Sequence, residues 1–283
     1  MDHVVLCPNV ERDLELACTR RVKAMLEAEG HRVVVSPIYG TGAGSGLSCQ
    51  PLEKALDGAK LLVSLGGDGT ILHLAPLVMG HDVPLVGVNL GHKGFLTELD
   101  EDSTELLCQA AAGAYEIVPR MMLDVEIHRS GRVIFRDTGL NEAVVSGILQ
   151  NVRLTASGDG QRILACSGDG LIVSSATGST AYSLSAGGPL LEPSAEAIIL
   201  TPICAHMLAA RSFVLTPERE VCITPSELVE GKRCVVSVDG RGTIDLQNND
   251  RVLVRKSAHK LLIAHLGTKS FYETAFDKLG ERI

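Results

Sequence analysis

At 283 residues the chain is long enough for two domains of ordinary size, each with its own core. With 45% hydrophobic and 21% charged residues, the composition leaves little room for long disorder. Lys and Arg number 26 against 34 Asp and Glu, a net charge of -8 with no basic block, which argues against nucleic acid and anionic membranes as targets.

The sequence opens Met1-Asp2-His3 and runs directly into an apolar strand, Val4 to Cys7. It lacks the basic leader and cleavable apolar segment of a secretory signal, so a cytoplasmic location is the expectation. Leu14, Cys18, Val22 and Met25 recur at helical spacing, and Gly30 closes that helix where a left-handed residue is needed. His31 to Ile38 reads as a second strand. Tyr39 to Ser48 holds four glycines among small polar residues, which predicts a mobile loop or lid. Leu61 to Leu65 and Val83 to Val88 read as buried strands with a helix from Ile71 to Met79 between them. Residues 1–118 thus alternate apolar runs with helical periods, the pattern of a Rossmann-like α/β domain with a parallel sheet.

From Met121 the period changes. Leu123, Val125 and Ile127 alternate with polar neighbours, and Ser130-Gly131 can turn the chain into Val133 to Phe135. Further β-rich segments fall at Ala143 to Ser146, Val152 to Ala156, Leu171 to Ser175, Val221 to Thr224, Val235 to Val238 and Val252 to Arg255. They predict a β-rich C-terminal domain over 119–261. Phe271 to Leu279 has helical spacing, and the tail 262–283 is expected to pack back on the first domain. Ala197 to Ala210, the longest mostly apolar stretch, is broken by Pro202 and His206 and is too short to span a bilayer. The eight cysteines stand singly, which predicts reduced core residues, not disulfides or zinc ligands.

Three segments carry chemistry. Gly66-Gly67-Asp68-Gly69-Thr70 follows a strand and opens a helix, where glycines let the backbone approach a ligand and exposed amides attract phosphate. A plain strand-to-helix turn would look similar, but Asp68 argues against it. A carboxylate in a phosphate nest repels the anion unless it takes a proton from a hydroxyl or contacts a metal ion. The second segment, Asn141-Glu142, could simply terminate a loop. An amide can also read a purine edge, and a carboxylate can accept from ribose hydroxyls. The third runs from Asp169-Gly170-Leu171-Ile172-Val173 through Thr177-Gly178-Ser179-Thr180-Ala181-Tyr182 to Ser185-Ala186-Gly187-Gly188-Pro189. It reads either as a Gly/Ser-rich turn with a helix cap or as a surface for a flat ligand; its length favours the ligand.

Together and in this order, the three segments resemble the NAD kinase family. Gly87-Val88-Asn89-Leu90-Gly91, Gly94-Phe95-Leu96 and Val238-Asp239-Gly240 add to the likeness. The resemblance implies transfer of the terminal phosphate of ATP, or of another triphosphate or polyphosphate, to the adenosine 2′-hydroxyl of NAD, with Mg²⁺ arriving on the donor. It implies Asp68 as general base, and Gly66, Gly67, Gly69 and Thr70 around phosphate. Asp68, Gly69, His73 and Phe95 would touch the dinucleotide, with Asn141 and Glu142 on adenine and ribose. Thr180, Ala181, Tyr182, Ser183, Leu184, Ser185 and Cys204 would line the rest, and Asp169 would meet the nicotinamide end across a subunit boundary of a homodimer or homotetramer.

The chain departs from the family pattern at Lys93, Ser167, Ser175-Ala176, Ala205 and Arg241. Ser167 stands where many relatives carry a basic residue, and Arg241 replaces a common glutamine. Lipid kinases share the glycine-aspartate loop, but their Asn-Glu pair usually follows it at once; here Ile71-Leu72-His73 follows. A non-catalytic dinucleotide sensor would have no need to keep Asp68. A dehydrogenase would show a Gly-x-Gly-x-x-Gly turn after the first strand, where this chain has Cys7-Pro8-Asn9-Val10.

Overall fold

A computed structural model describes residues 2–40, 46–91, 94–206, 210–228, 231–268 and 270–280. Two compact units emerge: Met1–Pro119 with Leu261–Ile283, and Arg120–Lys260.

In the first unit β1 (His3–Pro8) leads through α1 (Ala17–Ala28) to β2 (Val33–Val35). The short α2 (Leu52–Ala55) precedes β3 (Ala59–Gly66), α3 (Asp68–Val78), β4 (Leu85–Asn89), the two-residue β5 (Leu99–Asp100) and α4 (Leu106–Ala111). All pairings are parallel, in the order β2-β1-β3-β4-β5. From β1 the chain goes to β2 on one side, then crosses to β3 on the other. The point where the direction reverses therefore lies between the C-terminal ends of β1 and β3, which is where open α/β sheets bind ligands. Val4, Leu6, Val22, Leu26, Val63, Leu65, Val88 and Leu107 form the core beneath it. Ile263 returns to pair in parallel with Leu85, and α6 (Phe271–Gly280) follows it.

Two elements differ from their sequence reading. The first helix begins three residues after Leu14, which is exposed. The Asp13 carboxylate accepts the amides of Cys18 and Thr19 at 2.9 Å each, while Glu15 and Leu16 take left-handed backbone. This cap fixes the start of the helix against its hydrophobic period. The second strand is trimmed to three residues, and Ile38 makes only an isolated bridge with Asn9. Of the loop from Tyr39 to Ser48, residues 41–45 lie outside the described residues, as does Lys93.

The second unit is entered within β6 (Glu116–Arg129), which forms a hairpin with β7 (Arg132–Gly139). Its turn, Ser130-Gly131, has positive φ at both residues (49° and 77°), as a two-residue hairpin turn requires. There follow β8 (Glu142–Gly147), β9 (Val152–Gly158), β10 (Gln161–Gly168), β11 (Gly170–Ser175), the four-residue α5 (Tyr182–Ser185), β12 (Ile198–Ile203), β13 (Phe213–Leu215), β14 (Val221–Ser226), β15 (Cys234–Val238), β16 (Ile244–Leu246) and β17 (Arg251–His265). One antiparallel sheet runs β13-β12-β11-β8-β15-β16; β10, β9, β14 and β17 pair in that order in another. Alternate residues such as Leu123, Val125, Val145, Leu171, Val173, Ile223 and Val254 fill the core of this unit.

All eight cysteines are free, but only Cys7, Cys18, Cys166 and Cys234 are buried. The reading of all eight as core residues is corrected by Cys49, Cys108 and Cys222, which are half-buried, and by Cys204, which is exposed with φ 44°.

Candidate active site

Gly66 is the last residue of β3, Gly67 the N-cap of α3 and Asp68 its first residue. The loop is pinned on both sides. Asn9 N donates to Leu65 O at 2.8 Å and Leu90 N to Gly66 O at 2.7 Å, while Asn9 Nδ2 reaches Thr70 Oγ1 at 3.3 Å. Thr70 N donates to the N-cap carbonyl Gly67 O at 2.9 Å, and the amides that open α3 form the positive end of its dipole.

The Asp68 carboxylate is held from a third direction. Phe95 N donates to Oδ2 at 2.7 Å and Leu96 N to Oδ1 at 3.1 Å. Gly94 has to be glycine for this, because a Cβ there would overlap the carboxylate. Each oxygen keeps a further lone pair, so Asp68 is oriented without being used up. It faces a cavity of about 430 Å³ with Gly67, Gly69, Thr70, Gly94, Asn9, Glu11, Arg12 and Tyr39 on its wall. His73 stands behind, its ring centroid 4.5 Å from that of Tyr39. The half-buried Phe95 ring carries the Lys278 ammonium 4.3 Å from its centroid. Asn9 and Arg12 belong to no motif; what marks them in the sequence is their place just past the first strand.

In the second unit Asn141 and Glu142 are both buried and meet the end of β11. Ser175 N donates to Asn141 O at 2.8 Å, Ser175 Oγ to Leu140 O at 2.6 Å and Gly178 N to Ser175 Oγ at 3.1 Å. A Cβ on Gly178 would overlap the Asn141 carbonyl, so glycine lets the two segments close up. Four buried oxygens at this junction have no partner among the described residues: Asn141 Oδ1, Glu142 Oε2, Ser174 Oγ and Thr177 Oγ1. Such a cluster is unusual in an interior and marks a surface built to receive hydrogen bonds.

Asp239 holds the Asn-Glu pair from behind. Its carboxylate accepts the amides of Leu140, Asn141 and Glu142 at 2.7, 2.9 and 2.9 Å. Arg241 braces it, with Nη1 3.4 Å from Asp239 and Nη2 3.0 Å from Asp137 and 2.7 Å from Thr138 O. The departure at 241 is thus a structural brace on the pair. Burial pushes the Glu142 carboxyl up to about 8, and the Asp239 charge adds to that rise. Burial raises Asp239 too, against the lowering effect of its amide donors and Arg241.

The remaining residues separate into groups. Thr180 lies on the 3-10 turn after Thr177, donating to its carbonyl at 3.1 Å. Ala181 and Leu184 are half-buried, Tyr182 and Ser185 exposed, and the buried Ser183 hydroxyl meets Thr201 Oγ1 at 2.9 Å. Asp169 and Cys204 sit elsewhere: Asp169 N donates to Ile203 O at 3.0 Å, at the opposite end of β11 from Glu142. Five residues of strand set them roughly 16 Å away.

The ATP-NAD kinase N-terminal domain model matches residues 49–116, and the ATP-NAD kinase C-terminal domain model matches residues 120–266. The chain is 35% identical over 280 residues to the NAD kinase of Acetivibrio thermocellus, covering 98% of this chain and 96% of that one. Among solved structures, yeast NADH kinase complexed with NADH superposes with a TM-score of 0.85 at 23% identity, over 99% of this chain and 88% of that one. An NAD kinase from Archaeoglobus fulgidus in complex with ATP gives 0.73 at 23% identity, over 99% of both chains. Fold and matches together define an enzyme of the phosphotransferase class. Within that class, the chain belongs to the ATP-NAD kinase family.

Proposed function

We propose that the enzyme transfers the γ-phosphate of ATP to the adenosine 2′-hydroxyl of NAD, with Asp68 as general base. The 2′-oxygen forms its bond to the γ-phosphorus as the bond to the bridging oxygen breaks. ADP leaves, and the hydroxyl proton passes to Asp68. The observation that carries this reading is the Asp68 carboxylate, fixed by two backbone amides and facing the cavity beside the glycine loop. A base so placed contributes about 10²- to 10⁴-fold in rate, and positioning with charge neutralisation supplies much of the rest.

Gly66, Gly67, Gly69 and Thr70 surround the phosphates, and Mg²⁺ arriving with the donor would neutralise part of their charge. The residues fit: the cavity wall offers Glu11 as a hard carboxylate besides the base Asp68, and Mg²⁺ is usually held by one or two carboxylates with substrate phosphates. Asn141 and Glu142 take adenine and ribose, which the unpartnered Asn141 Oδ1 and Glu142 Oε2 support. His73, Phe95, Thr180, Ala181, Tyr182, Ser183, Leu184 and Ser185 serve the dinucleotide. Asp169, just before β11, serves its nicotinamide end from a second subunit of a homodimer or homotetramer working in the cytoplasm, and Cys204, just past β12, lines the rest of the site.

The test is NADP formation from NAD, ATP and Mg²⁺ beside an Asp68→Asn variant. NADP made by the parent and nearly abolished in the variant, with NAD binding intact, supports the reading. A variant that turns over like the parent overturns the role of Asp68.

A further inference from the structure

We propose that Arg12 grips the phosphate chain of the donor and presses it against the glycine loop, and that Gly91 is small in order to admit it. The inference rests on the kinase reading above and adds a side chain to a phosphate site otherwise made of backbone.

The placement follows from the fold. Arg12 lies in the turn after β1, at the point where the sheet direction reverses. Its backbone is fixed: Arg12 N and Asp13 N donate to Asn9 O at 3.0 and 2.9 Å, and Glu11 N donates to Asn9 Oδ1 at 3.0 Å. The guanidinium extends across the loop. Nη1 lies 3.8 Å from where a Cβ on Gly67 would stand, and 3.0 Å from where one on Gly91 would stand. It is exposed, and among the described residues it pairs with no carboxylate. Holding the turn does not need it, because Asp13 caps α1 and Asn9 closes the turn.

Charge makes the same case. The described lining of this cavity carries two carboxylates, Glu11 and Asp68, and one cation, Arg12. Mg²⁺ on the donor would offset part of the charge of a polyphosphate entering between two carboxylates, and a fixed side-chain cation on the same wall adds to that offset. A guanidinium beside a helix N-terminus supplies that cation with forked donors matched to phosphate oxygens. Gly91 completes the arrangement. An alanine there would crowd only the tip of a flexible side chain, shifting the guanidinium by a few tenths of an ångström without harming the fold.

Steady-state kinetics on the full chain test this with Arg12→Gln, Arg12→Lys, Gly91→Ala and the Arg12→Gln/Gly91→Ala double variant. Loss of a charge-assisted phosphate contact predicts a KM for ATP raised about 10- to 100-fold in Arg12→Gln, with the KM for NAD within about twofold of the parent. Arg12→Lys should recover part of the loss. Gly91→Ala should raise the KM for ATP, and the double variant should be no worse than Arg12→Gln, since both act on one contact. A KM for ATP within about twofold of the parent in Arg12→Gln, equal rises for both substrates, or additive losses in the double variant would overturn the proposal. If the parent forms no NADP, the kinase reading fails by itself. Titration of inorganic tripolyphosphate with Mg²⁺ still reads Arg12: binding by the parent that is lost in Arg12→Gln supports the grip, and equal binding overturns it.

Discussion

Asp68 in the α/β unit and Glu142 in the β-rich unit are both carboxylates beside glycine-rich turns, yet they are prepared in opposite ways. Asp68 has an amide on each oxygen and stands at the wall of an open cavity. Glu142 is buried, with Oε2 unpartnered and its carboxyl pushed up to about 8. One is set before any ligand arrives; the other has a hydrogen-bonding need that a ligand would satisfy. On the proposed reading, the contrast separates a group that acts on a proton from a group that binds, and it makes the two distinguishable by experiment.

The largest effect of a single substitution on stability is expected where both members of the Asn-Glu pair lose their support at once. Asp239→Ala removes the acceptor for three backbone amides and leaves Arg241 facing a gap. Urea unfolding should show a loss of about 2–4 kcal/mol. A loss below about 0.5 kcal/mol, the scale of an ordinary surface substitution, would mean that the brace is dispensable.

Next comes Gly94→Ala, whose methyl would displace the Asp68 carboxylate. Because a small misplacement at the reacting centre is costly, kcat should fall about 10- to 100-fold with unfolding stability nearly unchanged. An active Gly94→Ala enzyme would show that the orientation of Asp68 matters little.

A third effect concerns pH. In the unfolded chain Glu142 would ionise near its ordinary 4.5, whereas in the folded chain it does so near 8. A raised carboxyl contributes stability that is fully present below about 4.5 and is lost as pH rises through about 8. The parent should therefore lose more thermal stability than Glu142→Gln between pH 5 and pH 9, at roughly equal starting points. Hydrogen bonds from a dinucleotide to Oε2 favour the ionised form, so NAD affinity should rise with pH up to about 8, by at most about tenfold per pH unit. Glu142→Gln should flatten that rise.

Much of this was legible in the sequence, and the gaps have physical causes. Leu61 to Leu65 followed by three glycines marks β3 and its loop, because a buried parallel strand is a continuous apolar run. Alternation at Leu123, Val125 and Ile127 marks β6. Ile198 to Ile203 hides β12, since a strand buried along its whole length shows no alternation. The start of α1 depends on the carboxylate of Asp13, which outweighs the period that includes Leu14. Arg12 and the brace from Asp239 to three amides depend on chain segments brought together only by folding. Asp239 stands 97 residues beyond Glu142, and no local pattern encodes that meeting.

The most direct test of the contrast is to measure kcat and NAD affinity side by side for Asp68→Asn and Glu142→Gln. The account predicts that Asp68→Asn loses about 10²- to 10⁴-fold in kcat while binding NAD like the parent. Glu142→Gln should bind NAD about 10-fold more weakly while keeping most of its kcat. If the two variants fail in the same parameter, or exchange these phenotypes, the assignment of chemistry to one carboxylate and binding to the other is wrong.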